Sequence, residues 1–250
     1  MNFLRFPNPG SDIHKFAETF RELYKSLSDQ PVVDLDDLVK AGIEKRLASS
    51  CGATGEEALE RSTRADRSRD PLYNQLKMYS ELWRMLGWLH TTDHRLEFRF
   101  SDLAEYVMDK DYIPLLKECL VAICFPNPHV ANLGVKNSRP IKRILEIASG
   151  ASGQIHRDEI ILYVLTMTDD TKGGCVKNSV QNILKLRAKG KRALDQKLAE
   201  VSSSIQLNTL KNYTRFPLGV LKNMSWAKPQ KINGTYGRSA NFYVLTDEGQ

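Results

Sequence analysis

Leu210-Lys211-Asn212-Tyr213-Thr214-Arg215-Phe216 interleaves cations, an amide and aromatics without a single acidic residue. On a helix, Lys211, Thr214 and Arg215 share a face, with Asn212 beside it. Arginine pairs through two hydrogen bonds with guanine, and asparagine with adenine, in the major groove of DNA. This segment therefore has the chemistry of base reading. Lys222 and Asn223 follow on the same predicted helix, and Lys228, Gln230, Lys231 and Arg238 on a hairpin after it. The competing explanation is a solvated helix face and a basic hairpin with no partner.

A second cluster comprises Arg61, Arg64, Arg67 and Arg69, then Asn74 and Lys77 at the start of a predicted helix. A recognition helix contacts bases with its first residues, while the preceding turn holds phosphates. Here Glu56, Glu57, Glu60, Asp66 and Asp70 compete, because they can pair with the arginines on an exposed helix. A third group, Lys177, Lys185, Arg187, Lys189, Lys191, Arg192 and Lys197, reads as a phosphate-tracking surface or as a solvated basic helix.

The charge distribution ties these groups together. Residues 171–250 hold 14 Lys and Arg against 4 Asp and Glu, a local net charge of +10, whereas the whole chain carries +6. Residues 1–170 are therefore at −4. Clustered cations are rewarded by phosphates through counterion release, so the last third is the first place to seek a nucleic-acid contact.

A search for catalytic chemistry finds little. A metal-dependent nuclease needs an Asp, then Glu/Asp-x-Lys on the next strand, to hold Mg2+ and activate water. Asp93 with Glu97-Phe98-Arg99 has the spacing, but Arg stands where Lys is needed. Asp34, Asp36 and Asp37 crowd a helix start, where capping explains them. No glycine-rich phosphate loop or nucleophile elbow is present. The five histidines are isolated; His156, before Arg157-Asp158-Glu159, reads as a helix-start residue. Cys51, Cys119, Cys124 and Cys175 are too scattered for a disulfide scaffold or a zinc site, and read as buried thiols in a reducing compartment. There is no apolar run of membrane-spanning length and no signal peptide. The expected location is cytoplasmic, with no membrane partner.

The elements that must position these groups follow from periodicity. Residues 11–27 form a helix capped by Ser11 or Asp12, with Ile13, Phe16, Phe20, Leu23 and Leu27 inward. Residues 35–48 form a second helix, 51–55 a loop and 56–70 a polar stretch. Pro71 opens a helix to about Leu86, with Trp83 in the core. Strands at 88–91 and 96–100 follow, then a helix from Asp102 to Met108 capped by Ser101. After a linker around 125–138 the order recurs: helices at 140–148 and 156–167, a long basic helical insert at 175–203, and a helix at 207–224 that Pro217 kinks or splits. Strands at 225–232 and 240–245 then flank Asn233-Gly234, a hairpin signal. The expected fold is mainly α with small β-hairpins (α+β), as two tandem winged-helix subdomains at 1–130 and 131–250. Thr246 begins to cap a further helix, and the chain stops four residues later, which suggests a piece of a longer protein.

Arg139-Pro140-Ile141-Lys142-Arg143-Ile144-Leu145, Gly153 through Ile160, Leu165 through Asp170, Ile183 through Arg187, the 210–224 helix and Phe242 through Gly249 complete a pattern. It resembles the DNA-recognition half of type IIS restriction endonucleases and their nicking relatives, the FokI-like group. Ser68 through Trp88 resembles the first recognition helix of that group. The resemblance covers most of residues 60–250. It implies a bacterial restriction–modification protein that reads an asymmetric site on double-stranded DNA as a monomer. It also implies a C-terminal or separate nuclease domain that uses Mg2+ to cut. No such domain lies in these 250 residues, so no catalytic residue, metal ligand or cofactor is assigned within them. Two rival functions stand beside this one: a non-enzymatic tandem winged-helix regulator or replication initiator, and a protein-interaction scaffold that binds an acidic partner.

Overall fold

The computed structural model describes residues 3–8, 10, 12–45, 47, 71–94, 96–127, 134–237 and 240–250. The loop at 51–55, the polar stretch at 56–70 with its four arginines, and Arg238 lie outside them. The chain divides into two compact units, residues 12–119 and residues 1–11 with 120–250. The division falls at 119/120 instead of 130, and the N-terminal residues go with the later unit. There the Leu4 amide donates to Leu165 O (2.8 Å) and Phe6 packs on Phe125 and Phe216.

In the unit formed by residues 12–119, Asp12 caps the Ile13–Leu27 helix by accepting from the Lys15 amide (2.9 Å). Asp34 and Asp37 form a reciprocal capping box at the start of the Leu35–Glu44 helix, which accounts for the acidic crowding there. The Pro71–Met85 helix precedes strands β2 (Leu89–Thr91) and β3 (Glu97–Phe100). A short strand absent from the sequence reading, β1 (Val33–Asp34), pairs with β3 to give an antiparallel sheet of order β1-β3-β2. Phe16, Phe20, Trp83 and Trp88 meet with ring centroids 4.9–5.9 Å apart and none is more than 1% exposed. This cluster fastens the Ile13–Leu27 helix to the Pro71–Met85 helix and to the residue that leads into β2. Ser101 stands at the start of the Asp102–Tyr106 helix, but its hydroxyl donates to Gly87 O (2.6 Å) instead of capping.

The other unit repeats the order. Helix Pro140–Gly150 leads to β4 (Gln154–His156), helix Arg157–Tyr163, two insert helices, two further helices, then β5 (Ala227–Ile232) and β6 (Ala240–Leu245). Its sheet has the order β4-β6-β5, the counterpart of the first. Both units thus carry helix, strand, helix, helix and hairpin with the same sheet order, which is winged-helix topology. The residues predicted as one helix from His156 divide: His156 ends β4 and its Nδ1 accepts from the Asp158 amide (3.2 Å), capping the helix that follows.

The basic insert is not continuous. Helices Cys175–Lys189 and Lys191–Val201 meet at Gly190, whose φ of +76° suits a residue without Cβ. Cys119 is buried, but Cys124 is exposed and Cys175 half-buried, so the reading of all thiols as buried does not hold. Helix Ile113–Ala122 is an element that the periodicity did not place. No described helix is long and apolar enough to cross a membrane.

Candidate nucleic-acid interface

Proline 217 decides the local geometry. It sits third in helix Arg215–Asn223, where a missing N–H breaks no intrahelical bond. The predicted 207–224 helix is therefore two helices, Leu207–Tyr213 and Arg215–Asn223, and the break is at Thr214. Thr214 is fully buried and its hydroxyl donates to Lys211 O (2.7 Å). It shapes the joint and does not share the exposed face assigned to it.

The joint lines a cleft of about 770 Å3. Lys211, Asn212 and Arg215 come to it from either side of the break, and Lys222 from one to two turns further on. Asn8, Arg157, Asn208 and Tyr243 join them, and no carboxylate is among the lining residues. Arg157 opens the helix after β4, and Tyr243 pairs with Ile155 across the sheet. Burial raises the Tyr243 phenol above its ordinary range against the opposing pull of Arg157, so it is a neutral hydrogen-bond donor at physiological pH. Four cations, three amides and a phenol form a surface rich in donors for phosphate and base edges.

Four of these residues were missed. Asn208 lies three and four positions before Lys211 and Asn212, so helical spacing alone would have found it. Arg157, Tyr243 and Asn8 are brought in by the sheet and the N-terminal segment, which no local pattern signals.

The remaining predicted residues fall as follows. Asn223 is half-buried and its amide donates to Gly219 O (2.9 Å), so one of its donors is committed to its own helix. Lys228, Gln230 and Lys231 are exposed on β5, which also carries exposed Pro229. The β5–β6 hairpin forms, paired from Ala227 with Leu245 to Ile232 with Ala240. In the other unit Asn74 and Lys77 are half-buried on the Pro71–Met85 helix, the one in the recognition position. Asp93 is exposed at the tip of its wing, and the Glu97 carboxylate accepts from the Thr92 hydroxyl (3.1 Å). Position 99 is arginine, so the residues present do not fit a Mg2+ site.

Arg187 is a correction to the phosphate-tracking reading of the insert. Its guanidinium pairs with the fully buried Glu159 through two contacts of 2.8 Å, and donates to Ala151 O (2.7 Å) and Gln154 O (2.8 Å). Glu159 also accepts from the Tyr236 hydroxyl and the His156 amide (2.8 Å each). The Tyr236 phenol is held well above its ordinary range by burial, then by the charge and hydrogen bond of Glu159. One buried ion pair thus joins the insert, the helix after β4 and the wing loop. Lys191 pairs with Asp195 (2.7 Å), while Lys177, Lys185, Lys189, Arg192 and Lys197 are exposed.

No protein-family model and no curated protein matches the chain. Among solved structures, the chain is similar to the binding domain of the BpuJ1 endonuclease, crystallised with pyrene- and phenanthrene-modified DNA. The TM-score is 0.56 at 13% identity, over 97% of this chain and 81% of that one. At this identity the likeness establishes a shared fold. The restriction endonuclease FokI aligns with a TM-score of 0.48 at 14% identity, over 100% of this chain and 46% of that one.

Proposed function

We propose that this chain binds double-stranded DNA and reads its sequence, as the recognition region of a type II (IIS-like) restriction or nicking endonuclease. The observation that carries the reading is the carboxylate-free cleft at the recognition-helix joint of a winged-helix unit. Its fold likeness to a binding domain crystallised with DNA supports it. Arg215 and Asn212 are the base readers, because both are exposed and carry the side chains that form two-hydrogen-bond pairs with guanine and adenine. Arg157, Lys211 and Lys222 hold phosphates around them, and Lys228, Gln230 and Lys231 extend the contact along the wing. Asn74 and Lys77 make the equivalent contact in the other unit. The partner is a duplex with an asymmetric site bound by a monomer, and cleavage belongs to a separate Mg2+-dependent nuclease domain.

The test begins with selection of bound duplexes from a random pool. Arg215→Ala then weakens the selected site by about 1–3 kcal/mol and relaxes preference at one base pair. Lys222→Ala weakens selected and scrambled duplexes alike. Equal loss on both duplexes for Arg215→Ala makes this residue a backbone contact and moves base reading to the wing or to Asn74 and Lys77. A two-fold dimer on a palindrome would favour a regulator or initiator, and absence of salt-dependent duplex binding a protein scaffold.

A further inference from the structure

The two insert helices pack against each other; the Cys175–Lys189 helix also packs on the Pro140–Gly150 helix, and the Lys191–Val201 helix on the Arg157–Tyr163 helix. A groove of about 330 Å3 lies there, lined by Lys185 and Lys189 from one insert helix, Lys197 and Gln196 from the other, Asn182, and Tyr163 from beneath. Three ammonium groups drawn to one groove repel each other, and the only carboxylate among the lining residues is Glu200. Lys197 Nζ lies 5.5 Å from the centre of the Tyr163 ring. Tyr163 is 9% exposed, and its hydroxyl is buried with no hydrogen-bond partner. Buried hydroxyls are ordinarily satisfied, so an orphan hydroxyl on a residue that lines a groove with three lysines leaves a donor to spare for an acceptor. Burial and the nearby Glu159 hold the phenol above its ordinary range, so it keeps its proton and donates.

We propose that this groove is a second anion site, taking a phosphate group between Lys185, Lys189 and Lys197, with Tyr163 as the neutral donor. A phosphate offers only acceptors, and the groove offers ammonium, phenol and amide donors. The group can be a phosphodiester of the duplex backbone or a free phosphate. The first source rests on the DNA reading proposed above; the phosphate chemistry itself does not.

Inorganic phosphate is titrated into the full chain at constant ionic strength, against chloride, and the side-chain amide resonances of Asn182 and Gln196 are followed by NMR. Saturable shifts are expected, weakened tenfold or more in Lys189→Gln/Lys197→Gln and about threefold in Tyr163→Phe. The lysines are exposed, so the first variant keeps its fold, which its thermal midpoint checks. In parallel, Lys185→Gln/Lys189→Gln is compared with the unaltered chain on duplex DNA across a salt series. A log–log slope shallower by about 0.9 per lost contact, on all sequences alike, identifies the backbone as the source. An unchanged slope with intact phosphate shifts identifies free phosphate. Shifts equal to those from chloride overturn the site, whatever the slope, and leave the lysines as diffuse surface charge. Failure of the base-reading proposal would show in Arg215→Ala and leave the phosphate titration untouched.

Discussion

Removing Arg187 tests most directly whether the insert's charge is structural or DNA-facing. Its side chain is 9% exposed and that of Glu159 0%, so the pair has left water. Arg187→Ala strands the Glu159 carboxylate with only the Tyr236 hydroxyl and the His156 amide, and leaves Ala151 O and Gln154 O without this donor. Breaking a buried pair from one side costs about 3–5 kcal/mol, against a total stability of about 5–15 kcal/mol. At about 2–4 °C per kcal/mol for a chain of this size, the thermal midpoint falls by roughly 6–20 °C. Urea denaturation followed by circular dichroism reads the same loss. In Glu159→Gln/Arg187→Met the penalty is smaller than the sum of the single variants, because no charge is then left alone. A loss under about 1 kcal/mol for Arg187→Ala, together with weaker binding to every duplex, would refute the argument and return Arg187 to the phosphate surface.

Burial lowers the His156 pKa, outweighing the raising effects of Asp158 and Glu159 and adding to the lowering effects of Arg157 and Lys191. The unfolded chain therefore takes up a proton before the folded one, and stability falls as pH drops through about 6.5, the ordinary histidine value; His156→Asn flattens that slope in denaturation series between pH 5 and 8, and a slope unchanged by the variant assigns it elsewhere. A Cβ at Gly249 would lie 2.0 Å from Trp226 O, so Gly249→Ala costs about 1–3 kcal/mol by urea denaturation, and a neutral result would mean that this turn yields freely. Arg157, Lys211, Lys222, Lys228 and Lys231 as phosphate contacts together give a log–log salt slope of about −4.5 for duplex binding, measured by fluorescence anisotropy; a slope near zero removes the phosphate contact.

Capped helix starts and the hairpins were legible because their signals are local. Asp12, the Asp34–Asp37 box and His156 each act within three residues of themselves. The split at Thr214 was half legible: proline announces an interruption, but the break appears three residues earlier because the first turn of the following helix tolerates proline. Strands β1 and β4 were not legible. They are two and three residues long, and only pairing with β3 and β6 makes them strands. Helix Ile113–Ala122 lacks a clear polar face, which is the signal that periodicity needs. Arg187 shows the limit of counting charge: in sequence it is one of seven insert cations, and only the fold brings Glu159, 28 residues away, to neutralise it.

Strand β5 lies at the edge of its sheet, with Lys228, Pro229, Gln230 and Lys231 exposed along it. An open edge invites another strand to add to it, in the same molecule type or in an aggregate. Lysine and proline there resist such addition, the first by repulsion between copies and the second by withholding a backbone donor. The charges proposed to meet DNA therefore also act as gatekeepers of colloidal solubility. Substituting Lys228 and Lys231 by threonine or valine removes both roles at once. Loss of duplex binding in such a variant has to be separated from self-association, which depends on protein concentration where a lost phosphate contact does not.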